Sequence, residues 1–146
     1  MGIKINVQDL ANVSSEIAVL PDKLAKRTVL EMSQIAYNKM QEGAGRHSKT
    51  GALFGSVYNR SLGPLTREVG HDPQRAPHAP FVVFGTRPHV IRPKNKKALR
   101  WVSGNGFVFA RVVNHPGYIG DDYLTRSADS AVQQFARIVD DALKGL

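Results

Sequence analysis

The residues best able to bind a metal or move a proton are His71, His78, His89 and His115, each beside or near a proline: Pro73, Pro77, Pro88 and Pro116. Their spacings match no helical or knuckle metal pattern, and the chain has no cysteine to complete a thiolate shell or act as a nucleophile. Loop positions hydrogen-bonded to backbone account for them more simply. Acid/base catalysis by paired carboxylates has little material, because Glu68 and Asp72 are the only acids between Arg46 and Arg111. Asp121 and Asp122 are adjacent and precede an apolar-periodic stretch, where acids favour a helix start. Phosphate-binding glycine patterns and nucleophile elbows do not occur. The expectation is a protein without catalysis, metal or cofactor.

The strongest local feature is cationic: Arg87, Arg92, Lys94, Lys96, Lys97 and Arg100, with Trp101 adjacent and Phe107 and Phe109 shortly after. Cations could neutralise phosphates while the aromatics stack on bases. The same residues could form a protein interface or a solvated turn, with Trp101 in the core. The 20 Lys plus Arg and 12 Asp plus Glu give a net charge of +8. The segment from Arg46 to Arg111 holds 12 of those basic residues and two of the acidic ones, so the middle is strongly positive and the ends slightly negative. Such a field favours an anionic partner, nucleic acid or acidic protein.

These residues must be held by 146 residues with 42% hydrophobic content, which suits one domain spanning 1–146. Apolar runs such as Phe81–Phe84 fall far short of the roughly 18 residues of a membrane span, and the N-terminus has no signal-peptide pattern, so a cytoplasmic product is expected. Ile3, Ile5 and Val7 alternate as a short edge strand, and Gln8 to Leu20 forms a mixed, helix-compatible segment. A helix is predicted from Pro21 to Glu42, stopped by Gly43-Ala44-Gly45. Strands are predicted over Leu53 to Arg60 and Thr66 to Gly70, followed by an exposed loop from His71 to Pro80. Phe81 to Phe84 reads as a strand covered on both sides and ended by Gly85. Ala98 to Val102 and Phe107 to Val113 form strands around an Asn-Gly turn. Leu124, Ala128, Ala131, Phe135, Ile138 and Ala142 form the stripe of a C-terminal helix. The fold class is α+β: a mostly antiparallel sheet of about four to six strands, packed by the long N-terminal-half helix and the C-terminal helix.

Taken together, Thr50-Gly51-Ala52-Leu53 with Ser56-Val57, then Phe81-Val82-Val83-Phe84-Gly85-Thr86-Arg87-Pro88-His89, Pro93, His115-Pro116-Gly117 and Tyr123-Leu124 resemble a known family. It is that of the tail-completion or neck proteins (head-tail joining, minor tail) of long-tailed bacteriophages, and the resemblance covers about residues 20–144. It implies a structural virion protein, made in the host cytoplasm and working as one subunit of a closed, six-fold ring that completes the tail and joins it to the head. The implied partners are further copies of itself, a tail terminator or tail tube protein and a head-closure or connector protein. DNA in the channel stays open as a partner, and a membrane is not one. Gly85, Thr86, Arg87, Pro88 and His89 are placed at a protein interface. Arg92, Lys94, Lys96, Lys97 and Arg100 form a patch for partner or DNA. The alternative is a small basic nucleic-acid-binding module.

Overall fold

A computed structural model describes residues 2–6 and 20–145. In chain order the elements are β1 (Gly2–Asn6), α1 (Asp22–His47), α2 (Ala52–Gly55), β2 (Val57–Gly63), β3 (Thr66–His71) and α3 (Ala79–Phe84). They continue with β4 (His89–Ile91), β5 (Leu99–Ser103), β6 (Gly106–Ala110), β7 (Val113–His115), α4 (Tyr123–Gln133) and α5 (Phe135–Lys144). The expected α+β class, with a long helix in the N-terminal half, a C-terminal helical segment and antiparallel strands, is the observed one. The strands divide among three small sheets, ordered β1-β3-β2, β4-β7 and β5-β6. The edge strand expected at the N-terminus is β1, paired with β3 from Gly2 opposite Gly70 to Asn6 opposite Thr66. The segment expected over Gln8 to Leu20 lies almost wholly outside the described residues.

The long helix α1 organises the core. Its buried positions Leu24, Ala25, Thr28, Val29, Met32, Ser33, Ala36, Met40, Gly43 and Ala44 recur mainly at three- and four-residue steps. At about 1.5 Å per residue it is roughly 39 Å long, enough to lie along the three-stranded sheet and still meet both C-terminal helices. Gly43-Ala44-Gly45 does not stop it, contrary to expectation. Helix α1 runs on to His47, and the extended backbone of Ser48 ends it. The glycine has a different cause: a Cβ on Gly43 would stand 2.4 Å from Cβ of Tyr123, so its absence lets α4 approach.

Tyr123 opens α4 and is wholly buried, joining three layers. Its hydroxyl lies 2.8 Å from Nε2 of His71 at the end of β3, and His71 Nδ1 lies 2.7 Å from the Ser56 hydroxyl. Ser56 donates to the Leu53 carbonyl, so His71 donates through Nδ1 to Ser56 and accepts from Tyr123 at Nε2. Burial pushes the Tyr123 hydroxyl up to about 12, which keeps it a donor, and lowers His71 to about 4. The predicted exposed loop therefore begins with a buried residue. Ala76 and Ala79 are buried too, and an Asx turn at Asp72, accepting from Gln74, folds the segment back.

Further boundaries differ from the periodicity. The expected strand from Leu53 starts as the helical turn α2, launched by Gly51 at φ +81°, and becomes strand only at Val57. The C-terminal stripe is buried as expected at Leu124, Ala131, Phe135, Ile138 and Ala142, with a break at Gln134 dividing α4 from α5. Asp122 caps α4, accepting from the Thr125 amide at 3.0 Å. Asp121 instead binds His47 Nε2 at 2.7 Å and Arg126, and these bonds hold its carboxyl below its ordinary value.

Two outcomes follow from this packing. Gly43→Ala gains helix propensity of about 1 kcal/mol but collides with Tyr123, for a net loss of roughly 1–3 kcal/mol in thermal or chemical unfolding. Gly45→Ala, whose Cβ would meet only Phe54 at 3.5 Å, is expected to be neutral or stabilising. The depressed His71 value means that the unfolded chain binds a proton more readily than the folded one. Its contribution is complete above pH 6.5 and is lost as pH falls through about 4, by at most roughly 3 kcal/mol. Unfolding midpoints measured from pH 7 to pH 4 should fall accordingly, and His71→Asn should flatten that slope.

Candidate interaction surface

Phe81-Val82-Val83-Phe84 is not a covered strand. It is helix α3, because Pro80 occupies a first-turn position that favours a helix and Gly85 at φ +77° ends it. Four apolar residues fit either period; the flanking proline and glycine carried the deciding signal. As a helix the segment buries Ala79 and Val83, four apart, while Phe81 and Phe84, three apart, are 58% and 64% exposed. Gly85 thus turns the chain out of a helix, not out of a sheet.

Beyond Gly85 the chain crosses the segment that precedes α4 at backbone contact. Thr86 N donates to Tyr118 O at 2.8 Å, Tyr118 N returns to Thr86 O at 3.0 Å, and Asp121 N donates to Val82 O at 2.9 Å. Three glycines make this approach possible. A Cβ on Gly85 would meet Tyr118 O at 2.3 Å, on Gly117 Thr86 O at 2.6 Å, and on Gly120 Val83 O at 2.4 Å. The structure therefore brings together the Phe-Gly-Thr-Arg-Pro-His segment and His115-Pro116-Gly117. The rings of His89 and His115 stack with centroids 4.8 Å apart, on the facing pair of the β4-β7 ribbon. His89 Nδ1 donates to Arg87 O, and His115 Nδ1 accepts from Gly117 N.

A cleft of about 490 Å³ opens over this crossing, lined by His78, Phe81, Val82, Thr86, His89, Ile91, His115, Gly117 and Tyr118. The lining is largely apolar and contains no carboxylate, lysine or arginine. The Thr86 hydroxyl is buried without a hydrogen-bond partner among the described residues. Of the five residues predicted at an interface, Thr86 and His89 line the cleft, Gly85 and Pro88 shape its crossing, and Arg87 is exposed beside it. Ile91 also lines a second hollow, together with Leu99, Arg100, Trp101 and Val113. No group of three metal-ligating side chains converges among the described residues, and no described helix is long and apolar enough to cross a membrane.

The hairpin expected around Ser103–Gly106 is present, with β5 and β6 in register from Leu99 opposite Ala110 to Ser103 opposite Gly106. Its two-residue turn is Gly104-Asn105, not Asn-Gly: Gly104 supplies the positive φ of +59° and Gly106 already belongs to β6. It forms an arm, and none of its residues belongs to the core. Arg100, Val102, Phe107 and Phe109 share one face, and Leu99, Trp101 and Val108 the other. Val102, Phe107 and Phe109 are 69%, 58% and 65% exposed, and Trp101, weighed as a core residue, is 42% exposed. At its base, Arg92, Lys94, Lys96 and Lys97 are exposed and form no ion pair among the described residues. Arg100 lies over the Phe107 ring at 4.5 Å. The cleft residues Ile91 and Tyr118, and the arm residues Val102 and Val108, escaped the sequence reading. The signal for the arm was there: Trp-Val before the turn and Phe-Val-Phe after it are apolar on both faces.

Close backbone contact makes the crossing sensitive to one methyl group. Gly120→Ala is expected to lose roughly 1–3 kcal/mol in denaturant unfolding followed by far-ultraviolet circular dichroism. Gly106→Ala, with nothing within 4 Å of its Cβ position, should leave the midpoint unchanged.

Compared with protein families, with curated proteins and with solved structures, the chain matches none.

Proposed function

We propose that this protein is a non-catalytic assembly subunit that builds a closed ring in the neck or tail of a long-tailed bacteriophage and joins tail to head. The observation that carries the reading is the β5-β6 arm, an ordered hairpin with apolar side chains on both faces, of which Val102, Phe107 and Phe109 are more than half exposed. An arm of this kind is a liability on a lone monomer and an adhesive in an assembly. Heterologous contacts, in which one patch meets a different patch on the next copy, close into rings when the rotation permits. Two of the motifs that resemble tail-completion proteins, Phe81–His89 and His115-Pro116-Gly117, lie together at the Thr86–Tyr118 crossing. The cations at the arm base suit an anionic partner, either an acidic neighbour in the neck or the DNA that passes through it.

The test is made on particles and on purified protein. The chain is expected in purified virions and, when concentrated, as closed rings in electron micrographs and native mass spectra, with six copies expected. Lys94→Glu, Lys96→Glu and Lys97→Glu together should leave the unfolding midpoint within about 0.5 kcal/mol of the parent while abolishing the joining of tails to heads. Absence from both tails and heads, or normal joining by the triple variant, would overturn the respective part of this reading.

A further inference from the structure

We infer that the cleft over the Thr86–Tyr118 crossing is the receptor for the β5-β6 arm of a second copy of this chain. The inference rests on the assembly reading above and names its contact. The arm's ten residues from Trp101 to Ala110 include no Asp, Glu, Lys, Arg or His, so an uncharged apolar tip projects from a cationic base. The cleft matches that tip, being largely apolar and without carboxylate, lysine or arginine. An acidic peptide or a phosphate backbone would find neither lysine nor arginine in that lining, which disfavours either as its occupant.

Size agrees as well. With five residues in each strand the arm is roughly 17 Å long, which lets it reach past the surface of its own subunit. Phe107 and Phe109, on one face of the arm, bury roughly 150–250 Å² each when fully covered, so covering their exposed parts removes on the order of 200 Å² from water. Val102 on the same face, with Phe81, Tyr118 and Ile91 on the receiving side, brings the contact to the order of 500 Å² in total, the size of a weak contact that repetition around a ring strengthens. Each copy offers one arm and one cleft. Repeated around a ring, every copy makes this contact twice.

The arm does not fill its own cleft. Phe107 and Phe109 remain more than half exposed, and the cleft stands open. Two unlike apolar surfaces, both uncovered within the same monomer, satisfy one another when copies join head to tail.

The absence of cysteine makes a clean test available. Asn105→Cys places one thiol at the arm tip and Phe81→Cys one at the cleft rim, in separate preparations, one of them labelled with heavy nitrogen. The two are mixed at equal concentration and treated with a short bis-maleimide, and the products are read by mass spectrometry. Crosslinks joining the arm-tip thiol of one preparation to the cleft-rim thiol of the other are expected to dominate. Like-with-like products only, or none, would overturn the inference. Phe107→Asp combined with Phe109→Asp should abolish assembly in light scattering while leaving the melting temperature unchanged, since the arm lies outside the core; normal assembly by that variant would overturn it as well. Rings without the tip-to-cleft crosslink would sink this contact and leave the assembly reading standing. The crosslink in open filaments, with the chain missing from virions, would do the reverse.

Discussion

One side chain holds the fold's layers together. Tyr123 sits in the space left by Gly43 of α1, donates to His71 at the end of β3, and stacks near the ring of His47. Its own carbonyl accepts from the Ser127 hydroxyl one turn further into α4. Because the phenol is buried, its hydroxyl needs a partner, and His71 is available only with its Nε2 unprotonated. That requirement fixes the histidine tautomer, which in turn fixes Ser56 as an acceptor with its own proton directed to Leu53. The chain Ser56–His71–Tyr123 has the residue types of a relay to a nucleophile, yet each member is buried and each hydrogen bond is satisfied internally. It locks elements; it is not set up to attack a substrate.

The lock also explains why the middle of the chain faces outward. The core is filled by α1, the three-stranded sheet, the helices α4 and α5, and Ala79 and Val83 of α3, so the segment from Gly85 to β7 finds little room against it. That segment is fastened by backbone instead, through the Thr86–Tyr118 pair and the Asp121–Val82 bond, at a crossing only glycines permit. Backbone fastening leaves the side chains of Phe81, Phe84, Tyr118 and the arm unspecified by folding. Their apolar character therefore calls for a different explanation, which the proposed association would supply.

Legibility from sequence followed the same division. Long periodic stretches were readable: Leu124, Ala131, Phe135, Ile138 and Ala142, and Leu24, Val29, Met32, Ala36 and Met40 of α1, are buried as their spacing predicts, with Ala128 and Ile35 half-buried. A hairpin turn falls between Ser103 and Gly106, though on Gly104-Asn105. What escaped were features decided by contacts distant in sequence. Gly43-Ala44-Gly45 looks like a helix stop because glycine usually is one, and only the arrival of Tyr123 eighty residues later reveals its use. His71 looks exposed because prolines follow it, and nothing local shows that it is buried against α4. The strand assigned to Phe81–Phe84 failed because a short apolar run obeys both periods; a cleft made by α3, β4 and β7 could not be drawn until that helix was in place.

Charge separates the two ends of the arm's work. The acids of the helices are largely matched within the chain: Asp22 with Lys26, Glu31 with Arg27, Glu42 with Lys39, Asp140 with Lys144, and Asp121 with His47 and Arg126. Exposed pairs like these add little stability, but they do discharge the helical surface. The cations Arg92, Lys94, Lys96 and Lys97 have no such partners among the described residues, so four positive charges of a chain with net charge +8 gather within six residues at the arm base. In a ring joined tip to cleft, every copy would bring these cations into a shared annulus, where mutual repulsion opposes closure unless an anion is present. An uncharged tip suits a contact between like subunits, since identical copies repel wherever they present the same charge. A cationic base suits a partner of another kind, whether acidic protein or nucleic acid. In the proposed ring the arm would carry two recognition chemistries in one hairpin, the tip for self and the base for an anionic neighbour.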